Sequence, residues 1–430
     1  MFRKFGIIAP RSNHALIYIN GEFNGIFANT ENVDGPFTNK HFEKPDGNLY
    51  KEVWPVESSG NSQTEDYFVG GKRLGPVITS ISYSASNSSA WTLLGVSGVA
   101  FSEGISTLWL VIGVVGGMFT SWLKVAPSIY DITKKKNFIT IPQLISDGFK
   151  ETERKNILTT ASFIIIFSFT FYIASQFQGA GNALNDTFGL SIFVSIILSA
   201  FIIYIYTYLG GYLAVSITDT IQGFLMAFTA IVMPLMAISK IGGFAGLFEK
   251  LSTASGDFLS FSAGNVGLSA LGLIVGHLGI GMGYFGQPHL LSRFISVKDL
   301  KTLEKSRNYA LIWFCIVFTG MWLLGIAGHF MITDLSNNEN IFFRISDEIF
   351  HPAIQGVLLA AAISAIMSTA DSQILVCSSS ISIDLNIQSD SLKVSRLVTG
   401  FVTRLKLTIP PGPPAPKRTD CVPLITVTES

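Results

Sequence analysis

Ser364, Ser368 and Ser372 recur every four residues inside an apolar stretch. On a helix they form one polar stripe, flanked by Thr369 and Asp371. Hydroxyl oxygens beside the free carbonyls of a broken helix suit a hard monovalent cation, which prefers oxygen ligands. A second hydroxyl-rich run, Ser80-Ile81-Ser82-Tyr83-Ser84-Ala85-Ser86-Asn87-Ser88-Ser89-Ala90-Trp91, lies in another apolar stretch. So many hydroxyls are costly against lipid and make sense where a helix faces the protein interior or breaks around a site. Small-residue packing with serine back-bonding is the competing account. A third run, Gly276 to Pro288, holds five glycines, at 276, 279, 281, 283 and 286. A Gly-interrupted apolar segment points to a discontinuous transport helix, with close Gly-mediated helix contact as the alternative. His277 within it reads as a packed core histidine before a proton carrier. Asp371 is open to pairing within the bundle or to cytoplasmic water.

The elements that must carry these residues are membrane helices. Of 430 residues, 48% are hydrophobic and only 13% charged, against about 25% in a soluble domain. Lys plus Arg balance Asp plus Glu at 29 each, and mean hydropathy is +0.46. This excludes a disordered chain, a basic nucleic-acid binder and a disulfide-rich scaffold. Cys315, Cys377 and Cys421 are far apart and form no metal spacing. Eight stretches are long enough to cross a bilayer, near 75–100, 105–125, 156–181, 188–209, 212–238, 266–287, 308–332 and 353–382. Each must be helical, since lipid offers no partner to open backbone groups.

Charge sets the orientation. Lys72 and Arg73 precede the first span, and Lys134, Lys135, Lys136, Lys150, Arg154 and Lys155 follow the second. Arg293, Lys298, Lys301, Lys305 and Arg307 follow the sixth, and Lys393 and Arg396 the eighth. The intervening loops carry only Lys240, Lys250 and Arg344. One alternating topology puts every basic cluster on the cytoplasmic side.

The flanks differ. Residues 1–63 are polar; Asn20-Gly21 between apolar runs predicts a β-hairpin, and the start shows no signal peptide. Val56 to Glu65 reads as a linker. The proline-rich run Ile409 to Pro416 predicts a disordered tail over 399–430.

Five stretches carry a family resemblance: Asp66-Tyr67-Phe68-Val69-Gly70-Gly71-Lys72-Arg73-Leu74-Gly75-Pro76; the Ser-Ala-Ser-Asn run with Trp91; Gly210 to Gln222; Gly283-Tyr284-Phe285-Gly286-Gln287-Pro288-His289; and Met367-Ser368-Thr369-Ala370-Asp371-Ser372-Gln373, running on to Ser379. In this order they resemble the sodium:solute symporter family, most closely its sodium/proline symporters, over about residues 65–398. The resemblance implies an all-α polytopic membrane protein with a LeuT-like fold of two inverted repeats. By the same resemblance about eight helices are expected here, with the family's last core helices missing. It implies a sodium site between the broken first helix and the eighth. Backbone carbonyls of Ala85, Ser88 and Ala365 and hydroxyls of Ser368 and Thr369 are its expected ligands. It also implies a solute near Ser89, Ala90, Tyr172, Tyr284 and Pro288, with Asn87 and Asp219 as ion-coupling candidates. Asn87 stands where sodium/proline symporters carry Asp, Ile280 where they carry Trp, and Ala90 where Gly is usual.

The expected function is Na⁺-coupled symport of proline or a related small solute across the bacterial cytoplasmic membrane. Na⁺ is the coupling ion; no cofactor, no nucleic acid and no enzymatic step are expected. Residues 1–63 resemble a fragment of CotH-type spore-coat kinase proteins, on Leu16 to Phe27, Glu31 and Gly47-Asn48-Leu49-Tyr50-Lys51. About sixty residues cannot hold a kinase fold, so a helix-anchored phosphotransferase is the weaker rival. A solute-binding receptor, or a fused and truncated symporter remnant that transports nothing, are the others. The sequence assigns no oligomeric state.

Overall fold

The computed structural model describes residues 12–19, 22–30, 63–333, 335 and 337–385. The chain forms two compact units, 1–60 and 61–430. In the first, β1 (Ser12–Ile19) and β2 (Glu22–Thr30) pair antiparallel, with Ile19 opposite Glu22. The hairpin is the one expected; its Asn20-Gly21 turn lies outside the described residues, as do the proline-rich tail, Lys393 and Arg396.

In the second unit every regular element is helical among the described residues. A short helix, Gln63–Val69, begins inside the stretch read as a linker. The membrane helices follow. α1 has two halves: Pro76–Asn87, then, beyond a break, a π turn Trp91–Gly95 continuing as Val96–Glu103. α2 runs through Leu108–Thr120, Ser121–Val125 and Ala126–Lys136. α3 is Glu151–Phe188. The segment Ile192–Lys240 is two helices meeting at Gly211, which we label α4 and α5. α6 is again broken: Gly267–Gly279 tightens through Ile280–Gly286 and resumes as Pro288–Ile295. α7 is Leu300–His329, and α8 is Pro352–Ser379, running on through Ser380–Asp384.

Among the described residues six stretches are apolar and long enough to cross a membrane, and two of these each contain a sharp turn between helices. Gly104 (φ 66°, ψ −138°) turns α1 into α2, and Gly211 (φ 55°, ψ −148°) turns α4 into α5. That region of backbone space is essentially reserved for glycine. The chain reversals therefore fall where the hydropathy boundaries near 101–104 and 209–212 put them.

Proline and side-chain caps start the helices. Pro76, Pro288 and Pro352 sit at first turns, where a missing N–H costs nothing. Asp299 accepts from the Thr302 N–H at 2.8 Å to open α7. Its carboxyl is held below the usual carboxylate range by hydrogen bonds from Thr302. The cap is therefore intact at neutral pH and is lost only as pH falls through that lowered value.

Packing brings the two broken helices together at the centre. α7 packs against both halves of α1 and against α5; α8 packs against α3, the α4–α5 pair and the first half of α1. Tyr83 of α1 stacks on Phe294 of α6 at 5.2 Å and meets Trp122 of α2 edge-on at 4.9 Å. In lipid such contacts hold helices by van der Waals complementarity rather than by water exclusion. The glycine run of α6 serves both expected purposes. Gly281 crosses α2 so closely that a Cβ there would clash with the Gly113 backbone, while around Gly276, Gly279, Gly283 and Gly286 there is open space. At the cytoplasmic edge, Leu74 N–H bonds to Ser296 O (3.1 Å) and Lys298 N–H to Leu74 O (3.3 Å). Buried Lys72 reaches Glu65 (3.3 Å) and Asn137 (2.7 Å); its burial pulls the ammonium pKa down.

Gly211→Ala is expected to lower the melting temperature in detergent, because a Cβ there would lie 2.6 Å from the Tyr67 ring and the backbone strain is about 1–3 kcal/mol. Gly272→Ala, in open helical space, is expected to be neutral or mildly stabilising. Equal shifts for both would show that the Gly211 backbone is not a constraint.

Candidate functional site

The break in α1 follows from its sequence. Asn87 ends the first half, and Ser88 leaves helical space at φ −92°, ψ 87°. The last carbonyls of that half-helix then lack intrahelical partners, and α8 supplies them. Ser368 Oγ donates to Ala85 O at 3.0 Å and Thr369 Oγ1 to Ser86 O at 3.2 Å. Both hydroxyls also approach Ala365 O, at 3.3 and 3.1 Å. Ser88 N–H closes onto Ala85 O at 3.0 Å. Ala85, Ser88, Ala365, Ser368 and Thr369 are all fully or almost fully buried. The structure thus brings five oxygen-bearing positions from two distant segments into one place. The Ser88 hydroxyl in this group is buried without a hydrogen bond.

Four of the five expected solute residues sit around the same break. Ser89 Oγ accepts from Trp91 N–H at 3.3 Å, and the Tyr172 side chain of α3 lies beside Ser89. Ala90 faces α3 at Gly179. Tyr284, in the tightened turn of α6, lies beside Tyr172 and Asn87. Neither end of the buried Asn87 amide reaches hydrogen-bond geometry. Pro288 lines a separate small cavity toward the cytoplasm with Tyr212, Ser292 and Ser372.

Directly on the cytoplasmic side of the oxygen group lies a buried ionic network. Arg293 Nη2 is 2.8 Å from Asp219 Oδ2, with the two side chains 1% and 0% exposed. Ser82 and Ser86 both donate to that carboxylate oxygen at 2.9 Å. Arg293 donates to Ser86 Oγ (2.7 Å), Ser372 Oγ (2.6 Å) and His289 O (2.8 Å), and lies over the Tyr212 ring at 5.1 Å. Asp371 accepts from Tyr206 of α4 at 2.6 Å and from Ser372 at 3.1 Å.

Arg293 corrects the sequence reading. By charge pattern alone it reads as a loop charge, yet it sits inside the resumed half of α6. The other basic residues of that cluster still fix the orientation. The overlooked signal was Asp219 itself: a carboxylate in an apolar span requires a partner, and Arg293 falls on the one short helix following Pro288. Asp371 resolves to pairing within the bundle. His277 approaches Glu103 at 3.7 Å near the extracellular end, outside the central site.

The sodium:solute symporter family profile matches residues 67–397, and the CotH kinase protein profile matches residues 1–69. The osmoregulated proline transporter OpuE of Bacillus subtilis is 35% identical over 325 residues, covering 74% of this chain and 65% of its own. A sodium/proline symporter of Staphylococcus aureus is 36% identical over 334 residues, covering 76% and 64%. The chain therefore spans just under two thirds of the length of these relatives. Among solved structures, a Na⁺-coupled sialic acid symporter in its substrate-bound outward-open state superposes with a TM-score of 0.69 at 19% identity, covering 81% of this chain and 76% of that one. MHP1, a nucleobase-cation-symport-1 family transporter in a closed conformation, gives 0.52 at 11%, covering 80% and 74%. These two show a shared LeuT-like fold. With its membrane-spanning helices, its two broken helices and a match over most of its length, this multi-pass protein of the bacterial cell membrane belongs to the sodium:solute symporter family.

Proposed function

We propose that this chain carries out Na⁺-coupled symport of proline or a related small amino acid or organic solute. The observation that supports this most is the pair of bonds from Ser368 and Thr369 to the Ala85 and Ser86 carbonyls. Those hydroxyls and carbonyls satisfy one another, and the same oxygens suit a Na⁺ stripped of its water. Ala85, Ser88 and Ala365 supply carbonyls and Ser368 and Thr369 hydroxyls. The solute binds at Ser89, Ala90, Tyr172 and Tyr284, where the Asn87 amide adds an uncharged oxygen next to Tyr284; Pro288, expected there as well, lines the separate cytoplasmic cavity. The relatives named for proline support that solute class.

The coupling is a linkage effect. An ion held between α1 and α8 favours the conformation in which those helices meet. A solute that prefers the same conformation raises the ion's affinity by the factor by which the ion raises its own. The membrane potential adds about 2.3 kcal/mol per charge per 100 mV. Asp219 and Arg293 close the cytoplasmic side, and their separation opens the exit. No covalent step is involved, so the chain is not an enzyme. We assign residues 1–63 to a CotH-like fragment without kinase activity, 64–398 to the symporter core and 399–430 to a tail.

Counterflow of labelled proline in proteoliposomes is expected to be stimulated by Na⁺; solute binding without uptake would assign a receptor or an inactive remnant instead. Ser368→Ala with Thr369→Ala is expected to weaken apparent Na⁺ affinity roughly 10–100-fold, from the loss of charge-directed contacts, and solute binding at saturating Na⁺ far less. Equal losses in both would mean the hydroxyls only pack. Arg293→Ala is expected to destabilise the fold by about 3–5 kcal/mol, because it strands a buried carboxylate. Asp219→Asn with Arg293→Gln is expected to cost less, read as melting temperature in detergent. A double variant as unstable as Arg293→Ala would contradict the ionic account.

A further inference from the structure

The hydroxyl row of α8 does not stop at the central site. After Ser368 and Ser372 it continues with Ser379 and Ser380 and ends at Asp384. Between Ser372 and Ser380 lies a cavity of about 20 Å³, lined in part by hydroxyl-bearing residues that include Thr140, Ser372 and Ser380 and otherwise by apolar ones such as Phe68 and Leu375. That volume holds one water-sized guest, which needs about 10–15 Å³. The cavity touches the ionic network at Ser372 and the end of α8 at Ser380.

Asp384 closes this row from the cytoplasmic side and is only 7% exposed. Its Oδ1 accepts from Thr140 Oγ1 at 2.5 Å, and its Oδ2 from Ser162 Oγ of α3 at 3.5 Å. Ser380, one helical turn earlier and 1% exposed, lies beside the carboxylate, and among the described residues its hydroxyl has no other partner. Among the described residues no cationic side chain pairs with Asp384, whereas Asp219 has Arg293. A buried carboxylate without a countercharge is costly. One carboxylate and three hydroxyls, converging from α8, α3 and the cap of the short helix Ile141–Ile145, form an all-oxygen set for a hard cation.

We propose that Asp384, Thr140, Ser162 and Ser380 form a second Na⁺ site, on the cytoplasmic route from the central one. This rests on the symport reading above and extends it. An ion leaving Ser368 and Thr369 passes the Ser372 hydroxyl once Arg293 and Asp219 separate. It crosses the cavity between Ser372 and Ser380 and pauses at Asp384 before release. Thr140 caps the helix between α2 and α3, so movement of that loop opens the station to the cytoplasm.

The test is equilibrium binding of ²²Na⁺ alone to the purified full chain in detergent, which needs no transport. The wild type is expected to bind two ions, Asp384→Asn one, and Ser368→Ala/Thr369→Ala the other one. Unchanged stoichiometry in Asp384→Asn overturns the second site and leaves the central one standing. Unchanged binding in Ser368→Ala/Thr369→Ala, with loss in Asp384→Asn, overturns the central site instead. Should Asp384→Asn not be monodisperse, Ser380→Ala decides. It is expected to weaken the binding that survives in the Ser368→Ala/Thr369→Ala background about tenfold, as the loss of one contact to a charge implies. No change there overturns the proposal.

Discussion

A helix interrupted within a bilayer must have its open carbonyls answered by protein, because lipid cannot answer them. That constraint organises this molecule. The first half of α1 ends at Asn87, and the carbonyls of Ala85 and Ser86 are met by Ser368 and Thr369 of α8. The packing around this meeting includes the turn at Gly211 that folds α5 back on α4, the close crossing of α2 by Gly281, and the Tyr83 stack on Phe294. The oxygens that satisfy the break are of the kind a dehydrated cation takes as ligands, so in the proposed symport the structural need and the ion site coincide.

Charge is kept apart from this neutral cradle. Asp219 and Arg293 cancel each other one helical turn toward the cytoplasm, and serines from α1 and α8 fill out their hydrogen bonds. A buried pair adds little net stability compared with well-packed apolar residues. What this one contributes is a joint: it ties α1, α5, α6 and α8 at one point. Ser86 and Ser372, which touch each other at 3.0 Å, connect joint and cradle.

Much of this was legible in the sequence. The eight apolar runs set the helices, and the basic clusters set their direction, because both express the cost of placing charge in hydrocarbon. The four-residue spacing of Ser364, Ser368 and Ser372 announced a polar face. The hydroxyl run ending at Trp91 and the glycine run ending at Pro288 announced the two breaks. Hydropathy also hid things. Arg293 reads as a loop charge because a window average cannot tell an arginine at the membrane edge from one folded back under the core. Asp384 is inconspicuous in the sequence, since a lone acid near a helix end is ordinary until its surroundings are known.

The sequence by itself therefore determined which segments cross the membrane, where two of them fail as helices, and that both failures are lined with oxygen. Those are local consequences of residue type and helical period. Only the tertiary structure decided which oxygens meet. The partners stand 283 residues apart in the cradle and 74 in the buried ion pair. Over such separations contact is set by helix packing and by turns at single glycines, for which a linear pattern has no rule.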